Sequence, residues 1–166
     1  MDANELLGSA GRSRETPIRR DAEGRWFHAN DPLEHPNLVR AFDSWIERAE
    51  DGRYCLKNDI NWAYFTLEGA PFFVRSVDVS ESGVRLHLSN GKAEPLDPAT
   101  LRLGPEGALY CDVQHGTMAA RFDRHAMFQL EPLIGEDALG ATIRIGGITV
   151  HPAVVADPLA LTSHNS

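Results

Sequence analysis

The stretch Arg53–Val79, RYCLKNDINWAYFTLEGAPFFVRSVDV, holds the densest run of aromatic and β-branched residues in the chain. Two apolar runs meet there at Glu68-Gly69-Ala70-Pro71, which reads as a strand, a tight turn and a second strand. Pro71 has no N–H to give to a ladder, so it fits the first residue of a strand and not its middle.

Upstream of this stretch, His35-Pro36 opens a helix with proline in its first turn, where the missing N–H costs nothing. Leu38, Val39, Phe42, Trp45, Ile46 and Ala49 recur at helical spacing as one apolar face, and Asp51-Gly52 closes the segment. Ile18 to His28 reads as a hairpin, turned by Asp21-Ala22-Glu23-Gly24. Residues 1–16, rich in Gly, Ser, Asn and charge, read as a disordered tail, and Arg12, Arg14, Arg19 and Arg20 at its end read as a solvated arm.

Downstream, Val84, Leu86 and Leu88 alternate with Arg85, His87 and Ser89, the pattern of a half-buried antiparallel strand. Asn90-Gly91 signals a hairpin, and Pro95 and Pro98 limit the next element to a short edge strand. Leu101–Leu103 and Ala108–Val113 flank the turn Gly104-Pro105-Glu106-Gly107, and Met118–Phe122 comes after Gly116. Asp123 caps a second helix carrying Met127 and Leu130, which Pro132 ends early. Gly146-Gly147 turns a final hairpin between Ile143-Arg144-Ile145 and Ile148-Thr149-Val150, and residues 153–166 trail off. Two helices among roughly eight to ten short strands with hairpin-length turns make an α+β protein with mostly antiparallel pairing. The expected division is a tail at 1–16, an α+β subdomain at 17–67, a β-rich subdomain with one helix at 68–152, and a second tail.

With 166 residues and 42% hydrophobic content, the chain can bury a real core. Its 16 Lys+Arg against 24 Asp+Glu give a formal charge of −8, which disfavours nucleic-acid polymers and anionic membranes. No apolar run approaches the roughly 20 residues a bilayer needs, and MDANELLGSAGRSRETP lacks the basic flank and apolar core of a secretion signal. A cytoplasmic location is expected, with Cys55 and Cys111 as buried free thiols.

Catalytic patterns are missing. The seven histidines contain no pair at i, i+4 spacing, neither cysteine belongs to a CxxC, and no Gly-x-Ser-x-Gly occurs, so neither a metal site nor a catalytic set is assigned. The glycine pairs lack the lysine and spacing of a phosphate loop, and no cofactor is expected. Two polar interruptions of apolar strands stand out instead. Lys57-Asn58-Asp59 is one; Gln114-His115, with Arg121 on the strand beyond, is the other. Facing each other, they would offer cationic and amide donors to a small anionic ligand such as a nucleotide; exposed loop ends are the competing reading.

Three segments resemble the bacterial family named domain of unknown function 1285. They are Asp21–Ile46, with Gly24-Arg25-Trp26-Phe27 and Pro32-Leu33; Gly52–Val79, with Gly52-Arg53-Tyr54-Cys55-Leu56 and Ala70-Pro71-Phe72; and Leu109–Leu130. The resemblance implies a two-part α+β protein with related substructures, the C-terminal part resembling a pleckstrin-homology barrel. It also implies a nucleotide-like ligand at the interface of the parts and a role in signal transduction, and it implies no particular enzymatic activity. The family's Thr-Pro and Glu-Lys pairs are replaced here by Asn58-Asp59 and Asn61-Trp62, and an expected arginine by Gln114. The expected ligand-binding residues are Lys57, Asn58, Asn61, Arg75, Gln114, His115 and Arg121. The alternative is a protein-interaction module, recruiting a partner strand at edges near Ala93 and Leu103; an enzyme is the third reading.

Overall fold

The strands on either side of the turn at Glu68–Pro71 belong to different sheets. The turn ends one compact unit, residues 1–71, and the next begins at Phe72. The computed structural model describes residues 2–162.

The first unit comprises α1 (Ala3–Gly8), β1 (Glu15–Arg20), β2 (Trp26–His28), β3 (Asp31–Leu33), α2 (Pro36–Trp45), β4 (Ile46–Arg48), β5 (Tyr54–Lys57) and β6 (Trp62–Leu67). Its six strands form one sheet in the order β3-β2-β1-β6-β5-β4. The expected hairpin at Asp21–Gly24 pairs Arg20 with Trp26, and His35 caps α2 ahead of Pro36. Alternation on the strands sends Ile18, Ile46, Leu56, Ala63 and Phe65 into a core shared with Leu38 and Phe42 of α2. Trp26 sits between Phe42 and Phe65, at ring-centre distances of 5.2 and 5.3 Å.

Two expectations for this unit are corrected. Residues 2–16 are not a tail. Asp2 and Glu5 form a reciprocal capping box on α1, which buries Leu6 and Leu7. α2 stops at Trp45 rather than Ala49, because Ile46 pairs with Leu56 and extends the sheet. Within the mostly antiparallel pairing, β1 pairs with β6 in parallel, which the intervening helix makes possible.

The arginine cluster is also not a solvated arm. Arg20 is fully buried, with Nη2 2.9 Å from Asp43 Oδ1 and Nη1 donating to Pro71 O at 2.7 Å. Trp26 Nε1 donates to the same Asp43 oxygen at 2.8 Å. This network joins β1, β2 and α2 inside the core.

The second unit comprises β7 (Phe72–Ser80), β8 (Gly83–Leu88), β9 (Ala93–Pro95), β10 (Arg102–Leu103), β11 (Leu109–Val113), β12 (Met118–Phe122), α3 (Arg124–Leu130), β13 (Ile134–Asp137), β14 (Gly140–Ile145), β15 (Ile148–Val150) and β16 (Ala153–Val154). Seven of these strands form a sheet in the order β16-β10-β11-β12-β7-β8-β9, and β13-β14-β15 form a separate one. The hairpin at Asn90-Gly91 closes β8 on β9, and Gly146-Gly147 pairs Ile145 with Ile148 directly across the turn. Asp123 caps α3 as expected, by accepting from Ala126 N at 3.1 Å.

Here too pairing is mixed. β12 runs parallel to β7, and β16 parallel to β10. Residues 153–162 are therefore no trailing tail: β16 covers the β10 edge and Pro158 O accepts from the buried Arg102 Nε at 2.7 Å. The edge expected near Leu103 is thereby paired on both sides, whereas β9, with Ala93, remains at the rim of the sheet. The expectation for residues 163–166 lies outside the described residues. The architecture is mixed α+β, mostly strand, with three α-helices rather than two among the described residues.

Candidate functional site

α2 packs its apolar side chains against one face of the first unit's sheet. Register places the side chains of Glu47, Cys55, Tyr64 and Glu15 in one row across β4, β5, β6 and β1 on the other face, with Lys57 directly opposite Trp62 beside it. The β4–β5 loop borders this surface, leaving a cleft of about 510 Å³ lined by Glu47, Arg48, Glu50, Asp51, Cys55, Lys57, Trp62 and Tyr64. Trp62 and Tyr64 meet edge to face, 5.2 Å between ring centres.

Hydrogen bonds fix one wall. Tyr64 Oη donates to Asp51 Oδ2 at 2.9 Å, and Arg53 grips both carboxylate oxygens of Glu15 at 2.7 and 2.9 Å while its guanidinium lies 3.7 Å from the Tyr64 ring centre. The Arg53 backbone N–H and the Tyr64 hydroxyl, both donating to Asp51, lower its carboxyl below the usual range; the same bond raises the Tyr64 phenol. Burial raises the Cys55 thiol above its ordinary value, with Glu47 adding to it.

Two cations of the cleft keep their charge available. Arg48 donates to Tyr54 Oη at 2.7 Å and to Gly52 O at 3.4 Å, both neutral acceptors. Among the described residues neither Arg48 nor Lys57 forms an ion pair.

The other expected residues are spread over both units. Asn58 closes its own turn, its Oδ1 accepting from Ile60 N and Asn61 N at 2.8 Å, and donates to Asn4. Asn61 Oδ1 accepts from Arg14 at 3.2 Å. Of Lys57, Asn58 and Asn61, Lys57 alone lines the cleft. In the second unit Gln114 and His115 share a cleft of about 500 Å³ with Glu94 and Asp97, carboxylates that repel an anion, and with Asp112, which pairs with Arg102 at 2.9 Å. Glu94 already accepts from Gln114 N, at 3.1 and 3.2 Å. Arg121 lies three residues beyond Met118 on β12, about 10 Å along the strand, and lines a smaller hollow of about 150 Å³ beside Tyr110. Arg75 pairs with Asp123 at 3.5 Å. Gln114 and His115 thus share one cleft, and neither Arg121 nor Arg75 is among the residues that line it.

Trp62, Tyr64, Cys55 and Arg48 were not among the expected ligand residues. The signal for the aromatic pair is the alternation Trp62-Ala63-Tyr64-Phe65: with Ala63 and Phe65 facing the core, two large aromatic side chains must stand on the solvent side. Among the described residues no three His, Cys, Asp or Glu side chains converge to hold a metal, His164 lying outside them, and no helix is long and apolar enough to cross a membrane.

Two solved structures share this fold. A DUF1285 family protein from Silicibacter pomeroyi DSS-3 superposes with a TM-score of 0.64 at 21% identity, covering 82% of this chain and 79% of its own. The chain has the DUF1285 fold. A second DUF1285 protein, from Shewanella baltica OS155, gives a TM-score of 0.55 at 17% identity over 70% of this chain and 91% of its own. No family model and no curated protein matches the sequence.

Proposed function

We propose that the protein binds a small nucleotide-like ligand on the face of the first unit's sheet away from α2, and that this binding serves signal transduction. Lys57 standing directly opposite Trp62 in the cleft on that face is the observation that carries the reading. A nucleotide asks for three kinds of partner: a ring face to stack on, a cation for phosphate, and acceptors for base N–H groups. Trp62 and Tyr64 offer the first, Lys57 and Arg48 the second, Glu47 and Glu50 the third. The volume suits a ligand of that size.

Charge narrows the class. Glu47, Glu50 and Asp51 outnumber Lys57 and Arg48 around the cleft, so each added phosphate raises repulsion faster than it gains contacts. A monophosphate or a cyclic nucleotide fits better than a triphosphate. The signalling role is the one the DUF1285 resemblance implies.

The test is titration of purified protein with adenosine and guanosine nucleosides, monophosphates, cyclic monophosphates and triphosphates, followed by calorimetry. Lys57→Ala should weaken monophosphate binding roughly tenfold or more, the size of a lost charge-assisted hydrogen bond, and leave nucleoside binding nearly unchanged. Absence of binding by any of these compounds at millimolar concentration refutes the reading, as does affinity indifferent to both Lys57→Ala and Trp62→Ala.

A further inference from the structure

We infer that Arg14 is a positioning residue for this cleft, fixing the Trp62 ring through the N-terminal segment; the inference builds on the ligand reading above. Arg14 adopts a left-handed backbone with φ 61°, a conformation unfavourable for a residue with a side chain. Its own contacts hold it there. Arg14 O accepts from Tyr64 N at 2.7 Å, while its Nη1 donates to Trp62 O at 3.0 Å and Asn61 Oδ1 at 3.2 Å. The same guanidinium lies 4.8 Å from the centre of the Trp62 ring. One side chain thus holds both the backbone and the ring of Trp62.

The clamp is anchored from behind. Asn61 N donates to Asn58 Oδ1, and Asn58 Nδ2 donates to Asn4 Oδ1 at 2.7 Å on α1. α1 is itself fixed by Leu6 and Leu7 in the core. A six-residue helix has no stability of its own, so its docking depends on these contacts. No carboxylate forms an ion pair with Arg14 among the described residues, and its side chain and carbonyl engage Trp62, Asn61 and Tyr64 instead. Arg14 therefore holds in place the tryptophan on which a base would stack, without lining the cleft.

The experiment labels the whole protein with 5-fluorotryptophan and reads its three tryptophan resonances by fluorine NMR, with Trp62 assigned by W62F. Arg14→Gln should shift and broaden the Trp62 resonance, leave those of Trp26 and Trp45 in place, and weaken monophosphate binding roughly two- to fivefold, the scale of an exposed cation–π contact. Arg14→Lys, which keeps the cation, should restore part of both effects. Unchanged Trp26 and Trp45 resonances in Arg14→Gln exclude a global loss of fold. A Trp62 resonance indifferent to Arg14→Gln overturns the inference, and so does a displaced resonance with unaltered affinity. Failure of the wild-type protein to bind any nucleotide is a separate result: it removes the ligand reading, while the resonances, read without ligand, still decide whether Arg14 orders the ring.

Discussion

Asp43→Leu tests the buried network of the first unit. Asp43 Oδ1 accepts both from Arg20 Nη2 at 2.9 Å and from Trp26 Nε1 at 2.8 Å, and the Arg20 side chain is 0% exposed. Removing one member of a buried ion pair costs about 3–5 kcal/mol, because the remaining charge keeps its desolvation penalty without its partner. The indole N–H also loses its acceptor, though the two losses share one oxygen and do not simply add. A unit of 71 residues has a total stability of roughly 4–11 kcal/mol, so the substitution should leave it at the margin of folding. The double variant Arg20→Met/Asp43→Leu removes both charges and should recover part of the loss, leaving the Pro71 carbonyl and the Trp26 indole N–H without their partners at about 1–3 kcal/mol each. The assay is urea denaturation followed by tryptophan fluorescence, which reads the first unit selectively because Trp26, Trp45 and Trp62 all lie within it. A loss below about 1 kcal/mol for Asp43→Leu, or a double variant no better than the single one, would refute the argument that desolvation dominates here.

The titrating groups give two more outcomes. Burial raises the thiols of Cys55 and Cys111, most strongly Cys111, so neither should react with Ellman's reagent in the native protein near neutral pH, and both should react in denaturant; native labelling of Cys55 would show the cleft floor to be open to water. The Asp51 carboxyl is held low by donation from Arg53 N and Tyr64 Oη. Its anchoring of Tyr64 is thus fully present above the ordinary carboxylate range and is lost only as pH falls through the lowered value. The NMR signals of Tyr64 should accordingly stay flat from about pH 5 to 8, and a transition near neutrality in them would contradict this assignment.

Much of the fold is legible in the sequence where one local signal acts alone. Pro36 opens α2, Asp123 caps α3, and Asn90-Gly91 and Gly146-Gly147 turn hairpins, each through backbone chemistry that needs no distant partner. The misreadings arise where a residue satisfies two patterns. Ile46 is buried at 4% exposure and would serve equally as the last apolar position of the helix or the first of β4; its pairing with Leu56 decides, and that lies ten residues away. The parallel pair β1–β6 joins Arg19 to Thr66, a separation no short-range pattern encodes. α1 did carry a signal, the Asp2-x-x-Glu5 capping box ahead of Leu6-Leu7, but tail-like composition around it masks those four residues. At the candidate site Lys57 was legible as a polar interruption, whereas Arg14 was not, since nothing in a run of arginines tells which one will find an aromatic ring.

The placement of β16 on β10 bears on how the chain is made. Every strand of the first unit's sheet is encoded before Pro71, so that sheet can close while the ribosome is still translating the rest. The seven-stranded sheet must wait for Ala153 and Val154, and until they emerge the backbone groups of β10 facing away from β11 stand open to any passing strand. A pause in synthesis before that point would create a nascent chain half finished and half adhesive.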